Sequence, residues 1–200
     1  MYLDISSNQG KIDWQEVAKN PDIKGVILRG TTKNNNLDTR TIENYNGVMK
    51  YLSEQLDELG VYKFAYAKDY VSARLECHKC IVALAEKGIK YKHFYLDIEK
   101  TDTGDFTRAQ ATAVIYGYMD ELANFALNSK LRLYCNYNYL KNIIDPAFRS
   151  MPIWLARYND EMGDTFGANV VLWQYTSRGQ IDGINGAVDL SRVINNEKCD

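Results

Sequence analysis

The sequence lacks several features that mark particular classes of protein. Its 200 residues include only three prolines and two histidines, and no proline- or serine-rich linker or charge run divides the chain. The 46% of hydrophobic residues therefore suit one core of ordinary size, and we expect a single domain over residues 1–200. No run reaches the roughly 18 apolar residues that span a bilayer, so the sequence predicts no membrane partner.

An excess of charge of one sign is also missing. The formal net charge is −2, and the lysines and arginines are scattered along the chain rather than clustered. Proteins that bind nucleic acid or anionic membranes carry a basic patch. We therefore predict no nucleic-acid partner and expect a neutral polymer or a small molecule instead.

Cysteine is too scarce for a disulfide scaffold, because four residues cannot staple a chain of this length. Cys77 and Cys80 have the spacing of zinc ligands, but no second pair matches them and they fall within a predicted helix. We predict that all four thiols, with Cys135 and Cys199, are reduced, and that the protein holds no metal ion or cofactor.

Short apolar runs predict eight strands. They lie at Tyr2–Ser6, Gly25–Gly30, Val61–Ala67, His93–Glu99, Leu131–Asn136, Pro152–Arg157, Val170–Thr176 and Ala187–Leu190. Helical patterns fall between the first six, at Trp14–Lys19, Asp38–Leu59, Val71–Lys87, Thr107–Asn128 and Tyr137–Ile144. Strands that alternate with helices form β-α-β units around a parallel sheet, which is the pattern of an α/β protein.

Two of these helices carry clear apolar stripes. The first contains Ile42, Tyr45, Met49, Leu52, Leu56 and Leu59 at alternating steps of three and four residues. The second begins with Thr107 and Gln110 in a capping-box pattern, and its stripe is formed by Ile115, Tyr118, Leu122 and Phe125. We interpret both stripes as core.

The pattern changes after Pro152. The connection Ser177–Gly186 is too short for a parallel crossover, which needs a dozen or more residues, so an antiparallel hairpin is predicted there. We therefore predict an irregular TIM-like (β/α)5(β)3 barrel of eight strands. A doubly wound open sheet is the alternative.

Two acids follow an apolar run at the end of the fourth predicted strand. Asp97 and Glu99 are two residues apart, so they point to the same side of an extended chain. Asp4 and Asp189 lie in the first and last predicted strands, which are neighbours in a closed barrel. The four acids should meet at one rim, at the end of the barrel where catalytic groups sit.

Acids that share a rim repel one another, which keeps at least one of them protonated near neutral pH. Cleaving a glycosidic bond needs such a general acid and a carboxylate that stabilises the cationic sugar. The same cluster could instead bind a divalent metal through oxygen ligands in a metal-dependent hydrolase, although neither His78 nor His93 falls at these strand ends. A sugar-binding module without catalysis is the third hypothesis, since aromatic residues make up 12% of the chain.

Seven segments in order carry a resemblance to a known family. They are Asp4–Gly10, Ile12–Trp14, Val26–Gly30, Leu96–Glu99, Pro152–Tyr158, Trp173–Ser177 and Gly183–Leu190. In these segments the chain resembles the catalytic domain of glycoside hydrolase family 25, the Chalaropsis-type lysozymes found among bacterial autolysins and phage endolysins. Where the family often has Tyr-His-Phe on the third strand, this chain has Lys63 in place of the histidine, which leaves sugar contacts on that strand open.

The resemblance implies a five-helix, eight-strand barrel that hydrolyses the β-1,4 bond between N-acetylmuramic acid and N-acetylglucosamine in peptidoglycan. Glu99 would be the general acid, and Asp97 would orient the acetamido group or stabilise the charge at the anomeric carbon. Asp4 and Asp189 would hold these two acids and the sugar in place by hydrogen bonds.

Residues at the predicted strand ends are candidates for substrate contacts. Aromatic rings can stack on sugars or line a cleft, and polar side chains can bond the substrate's acetamido or carboxylate groups. These candidates are Tyr66, Tyr134, Trp154, Arg157, Tyr158 and Gln174, with Trp173 the weaker candidate. Arg29 is instead expected to pair with a nearby acid and to shape its ionisation.

The start of the chain carries a further expectation. Met1 is followed directly by a strand-like segment, so we predict no signal peptide. An endolysin that accumulates in the cytoplasm and leaves through a holin pore fits this pattern, as does a shortened chain. We expect a monomer that acts on the bacterial cell wall, and we leave open a wall-binding domain beyond residue 200.

Overall fold

The computed structural model describes residues 1–127 and 130–194. Eight strands close into a barrel in the order in which they occur in the chain. They are β1 (Tyr2–Ile5), β2 (Gly25–Arg29), β3 (Glu58–Phe64), β4 (Phe94–Asp97), β5 (Leu131–Asn136), β6 (Ile153–Ala156), β7 (Val170–Gly179) and β8 (Val188–Val193). The predicted barrel is confirmed, and the open doubly wound sheet is wrong.

Five helices connect the first six strands. They are α1 (Trp14–Val17), α2 (Thr41–Tyr51), α3 (Tyr70–Glu86), α4 (Arg108–Asn124) and α5 (Tyr137–Asn142). β1 to β7 are parallel to their neighbours along the chain, whereas β8 is antiparallel to both β7 and β1. The predicted hairpin between the last two strands is confirmed. Because β8 is reversed, its first residues lie at the carboxyl end of the other strands.

Alternation along the strands separates two layers of core. Side chains that point outward, such as Val26, Leu96 and Leu133, pack beneath the helices. Those that point inward fill the barrel with aromatic and aliphatic groups, among them Tyr2, Ile27, Tyr95, Tyr134, Trp154 and Leu172. Gly25 makes room for this filling, because a Cβ there would lie 2.4 Å from the ring of Tyr2. The barrel is therefore packed inside, and a site can form only at its ends.

The prediction for the helix at Asp38–Leu59 was wrong in its extent, and the predicted buried face was partly wrong. α2 ends at Tyr51, and β3 begins at Glu58 where helix was expected. The backbone N–H groups of residues 57 and 58 both donate to the carbonyl of Lys24, which draws this segment into the sheet beside β2. Ile42 and Met49 are each 44% exposed, while the buried face carries Thr41, Asn44 and Val48.

Other helix predictions held more closely. Thr107 caps α4 with the predicted capping box, and Ile115, Tyr118 and Leu122 are buried. Phe125 is the exception, because it lies at the helix end and is 38% exposed. Asn128, the predicted last residue of this helix, lies outside the described residues.

The cysteines in the described part of the chain are free thiols. Cys77 and Cys80 lie on the buried face of α3, and Cys135 is buried in β5. Cys199 lies outside the described residues. Burial raises the pKa of the Cys80 thiol to about 11, so this group stays protonated and unreactive at neutral pH.

Candidate active site

The structure brings the four acids together at the carboxyl end of the barrel. Asp97 is the last residue of β4, and Glu99 follows it in the loop rather than in the predicted strand. The amide of Ile98 still donates to the carbonyl of Tyr134, so the chain stays extended beyond β4. Asp4 and Asp189 face one another across the antiparallel pair of β1 and β8.

The acids raise one another's pKa values. For Asp97, burial is the main cause, and the charges of Glu99 and Asp4 add to it, so its pKa lies well above the usual range. Burial likewise raises the pKa of Glu99, with Asp189 as the charged neighbour. The pKa of Asp4 is raised by burial and then by Asp189 and Glu99. The cluster therefore holds protons at a pH at which isolated carboxyl groups have lost them.

Asp97 offers an acceptor that the folded chain does not use. It is only 5% exposed, and its Oδ1 atom is buried without a hydrogen-bond partner among the described residues. Leaving a buried acceptor unsatisfied costs stability. Such an atom at the mouth of a barrel marks a position where a ligand can donate a hydrogen bond.

Arg29 is the cation that faces these acids from β2. Its charge lowers the pKa values of both Asp4 and Asp97, against the stronger effect of burial. Its Nη2 atom also donates to the hydroxyl of Tyr66 over 3.4 Å. Arg29 thus moderates the acid cluster, as expected from its place in an apolar strand.

Gln174 connects Asp4 to two tyrosines. Its Oε1 atom accepts hydrogen bonds from the hydroxyls of Tyr134 (2.9 Å) and Tyr158 (2.8 Å), while its Nε2 atom donates to Oδ2 of Asp4 over 3.4 Å. Gln174 is 0% exposed, Tyr134 is buried, and Tyr158 is 51% exposed. Of the three, only the ring of Tyr158 presents a broad surface to solvent.

Tyr66 lies at the rim after β3, where its ring is surrounded by other side chains. The ring of Phe64 is 4.8 Å away between centroids, and the ammonium groups of Lys33 and Lys63 lie 5.6 and 4.9 Å from the ring centre. Lys33 also forms an ion pair with Asp102 of the loop after β4. The β2, β3 and β4 loops therefore meet around Tyr66.

The two tryptophans considered for sugar stacking are buried. Trp154 is 1% exposed, packs edge-on against Tyr95 and Tyr134, and donates from Nε1 to the hydroxyl of Ser191 over 2.9 Å. Trp173 is 5% exposed and donates to the carbonyl of Arg157. In this structure Trp154 supports the floor beneath Tyr134 and presents no face to a ligand.

Arg157 is turned toward the loop that follows β6. Its guanidinium lies 4.1 Å from the ring centre of Tyr137, and its Nη1 atom donates to the carbonyl of Met162 over 2.9 Å. Both contacts brace the segment that carries Tyr158. The structure does not bring this side chain to the four acids.

Sequence reasoning missed a buried ion pair behind the cleft. Lys63 points outward from β3, is 0% exposed, and lies 3.7 Å from a carboxylate oxygen of Glu76 on α3. Glu76 accepts hydrogen bonds from the backbone N–H groups of Tyr66 and Ala67 and from the hydroxyl of Tyr118. Lys63 therefore braces the loop of Tyr66, and its side chain is not exposed at the cleft. An acid within the apolar face of α3 was the pattern that could have revealed the pair.

Within residues 1–127 and 130–194, no three or more histidine, cysteine, aspartate or glutamate side chains are arranged to hold a metal ion. In the same part of the chain, none of the helices is both long and apolar enough to cross a membrane.

A closed barrel of five β-α units and three further strands, with proton-holding acids at the carboxyl ends, has the TIM-like architecture and the kind of acid pair that many glycosidases use. Comparison with known families identifies which one. The model of "Glycosyl hydrolases family 25" matches residues 3–184, and the chain belongs to this family. It is therefore a glycoside hydrolase, as the resemblance implied.

Relatives agree with this assignment. The autolytic lysozyme of Clostridium acetobutylicum is 24% identical over 190 residues, which cover 94% of this chain and 54% of that protein. The modular autolysin LytC of Streptococcus pneumoniae, solved in complex with a synthetic peptidoglycan ligand, matches with a TM-score of 0.83 and 22% identity. The match covers 95% of this chain and 45% of LytC. The chain thus spans about half the length of these two relatives.

A third comparison shows the same fold in a protein of similar size. A family 25 glycosyl hydrolase of Bacillus anthracis matches with a TM-score of 0.74 and 20% identity, over 98% of this chain and 88% of the other. The barrel of this chain therefore corresponds to nearly the whole of that structure.

Proposed function

We propose that this chain is the catalytic domain of an N-acetylmuramidase, which hydrolyses the β-1,4 bond between N-acetylmuramic acid and N-acetylglucosamine in bacterial cell walls. Family membership supports the reaction class, and the names of the relatives support the wall as substrate. The observation that carries the proposal is the acid cluster at the barrel mouth, with its raised pKa values and the free acceptor of Asp97.

Glu99 is the general acid of this proposal. It is partly exposed in the loop after β4, so it can reach a glycosidic oxygen, and its raised pKa keeps a proton available near neutral pH. Breaking the bond leaves an oxocarbenium-like sugar, and the proton of Glu99 passes to the departing hydroxyl. Water then adds to the anomeric carbon and gives up one proton to the Glu99 carboxylate, which restores the general acid.

Asp97 receives the acetamido group of the substrate. Its unpartnered Oδ1 atom is an acceptor, and an acetamido N–H is a donor of matching chemistry. Accepting that hydrogen bond favours the ionised form of Asp97, so the proton that the coupled acids hold resides on Glu99. Substrate binding in this way places the proton where the reaction uses it and leaves Asp97 charged to stabilise the sugar cation.

The remaining cleft residues have more distant roles in this proposal. Asp4 and Asp189 maintain the negative field that raises the pKa values of Asp97 and Glu99. Tyr158, which follows β6, and Tyr66, which follows β3, provide ring edges and hydroxyls for the glycan, and Tyr134 lines the floor. We propose that the domain acts as a monomer on glycan strands and needs no cofactor.

Mass spectrometry of digested peptidoglycan tests the proposal directly. Purified Gram-positive walls treated with the protein should release fragments whose new reducing end is N-acetylmuramic acid. New ends of N-acetylglucosamine, or released peptides, would contradict the assignment of the bond. Wall binding without new reducing ends would favour a binding module, and a loss of activity in EDTA would favour a metal-dependent hydrolase.

A further inference from the structure

Gln174 was expected to contact the substrate, but its position is inconsistent with that role. The side chain is 0% exposed, and its hydrogen bonds are directed to protein groups. Its Oε1 atom accepts from two tyrosine hydroxyls, so both lone pairs of that oxygen are used. A sugar could bond to Gln174 only by displacing one of these partners.

The same hydrogen bonds fix the direction of the amide. Tyr134 and Tyr158 donate their hydroxyl protons to Oε1, which leaves the Nε2 protons facing Oδ2 of Asp4. An N–H donor favours the ionised form of the carboxylate that it faces, because a protonated carboxyl oxygen is the poorer acceptor. Among the described residues that act most strongly on Asp4, Arg29 and Gln174 favour its ionised form, against burial and the charges of Asp189 and Glu99.

We infer, on the basis of the muramidase function proposed above, that Gln174 is a positioning residue that donates a hydrogen bond to Asp4 in the acid cluster, favours the ionised form of that carboxylate and does not bind the sugar. When Asp4 is ionised, its charge raises the pKa of Asp97. Gln174 therefore sets the pH range of the reaction through Asp4. Its link to the exposed Tyr158 places that ring in a fixed position at the mouth.

Gln174→Met is the first test, because it keeps the length of the side chain and removes both the donor and the acceptor. Without the N–H donor, the pKa of Asp4 rises further, so Asp4 is ionised less and its charge acts less on Asp97. The pKa of Asp97 then falls, so the acidic limb of the pH profile of kcat, which reports the ionisation of Asp97, should move to lower pH by about one unit. KM for soluble glycan should change less than threefold.

Gln174→Glu is the matched conservative variant. A carboxyl group at this position still accepts from both tyrosines and shares one proton with Asp4, so the pair keeps the hydrogen bond and one net negative charge. The pH optimum should stay within about half a unit of the wild type, because the field on Asp97 and Glu99 is preserved. This variant also serves if Gln174→Met fails to fold.

The two roles predict different results. A sugar-contacting Gln174 would show a KM raised about tenfold or more in both variants, with unmoved pH limbs, and that result would overturn the inference. Unmoved limbs together with an unchanged KM would overturn it as well. A wild type that releases no reducing ends from walls would instead refute the muramidase proposal, so the two failures are distinguishable.

Discussion

The two ends of the barrel both contain buried carboxylates, but the pKa values of these carboxylates are shifted in opposite directions. At the amino end, Glu58 accepts hydrogen bonds from Nδ1 of His93 (2.9 Å) and the hydroxyl of Tyr95 (2.6 Å), and Arg132 lies beyond His93. Burial raises the pKa of Glu58, but His93 and Tyr95 outweigh burial and the net pKa is lowered. At the carboxyl end, the Oδ1 atom of Asp97 has no hydrogen-bond partner in the part of the chain that the structure describes, and the pKa of Asp97 is raised.

This difference separates an acid that stabilises the fold from acids that are available for chemistry. Glu58 ties together the starts of β3 and β4, and its partners favour its charged form. The four acids at the other end have one another as neighbours, which favours the protonated form. The unfavourable interactions among buried acids therefore lie at the carboxyl end of the barrel, where a bound substrate can relieve them.

The largest expected effect is the loss of the proton donor at the carboxyl end. Glu99→Gln should reduce the rate at which reducing ends are released from walls by at least about a hundredfold, because the glutamine cannot protonate the leaving sugar. Thermal unfolding should show no loss of stability, since Glu99 makes no ion pair in the described part of the chain. A variant with full activity would show that another group is the acid.

A substitution at the amino end should change the stability of the protein rather than its activity. Glu58→Gln weakens the bonds from His93 and Tyr95 and should lower the free energy of unfolding by about 2–4 kcal/mol, the cost of removing one partner from a buried charged network. Below the unfolding temperature its kcat should match that of the wild type. Urea unfolding and kcat on the same preparation measure both, and a lowered kcat with unchanged stability would reverse the comparison.

Asp97→Asn should have a smaller effect on stability, of the opposite sign. The pKa of Asp97 is raised on folding, so its contribution to stability is greatest below the ordinary aspartate pKa and is lost as pH rises through the folded pKa. The uncharged asparagine should therefore be more stable than the wild type by about 1 kcal/mol at pH 7, with no gain below about pH 4.

Glu58→Gln is the matched control for that experiment. The pKa of Glu58 is lowered on folding, so its stabilising contribution is present above the ordinary glutamate pKa and is lost as pH falls through the folded pKa. Urea unfolding from pH 3 to pH 8 should give differences from the wild type of opposite sign for the two variants. Differences of the same sign at neutral pH would remove the contrast between the ends.

The smallest expected effect concerns the cation at the carboxyl end. Arg29→Met removes the charge that lowers the pKa values of Asp4 and Asp97, so the acidic limb of the kcat profile should move to higher pH by about half a unit. Lys33→Met is the control, because the exposed ion pair between Lys33 and Asp102 is screened by solvent. Equal shifts in both variants would indicate a general charge effect rather than a local one.

The barrel could be predicted because the length of each connection indicates how two successive strands pair. Each parallel connection is long enough for a helix, and the short segment before β8 permits only a hairpin. The acids were predictable for a related reason, since Asp97 and Glu99 share a side of an extended chain and a closed barrel makes its first and last strands neighbours. Alternation and closure therefore sufficed to bring Asp4 and Asp189 together.

What could not be predicted depends on side-chain partners far apart in the chain. Trp154 and Gln174 are residue types that often bind sugars. Here their N–H groups donate to Ser191 and Asp4 inside the protein. Lys63 is matched by Glu76 on a different element. The end of α2 could not be predicted for a similar reason. The carbonyl of Lys24, in another segment, accepts hydrogen bonds from the backbone N–H groups of residues 57 and 58, which places this segment at the start of β3.

Carbon-13 NMR titration of the side-chain carboxyl groups tests the contrast between the two ends most directly. The account predicts that Asp4, Asp97 and Glu99 titrate above the ordinary values of about 3.9 for aspartate and 4.3 for glutamate, and that Glu58 titrates below its ordinary value. Glu99→Gln should lower the midpoint of Asp97, since it removes a like charge. Ordinary midpoints for all four acids would contradict the account.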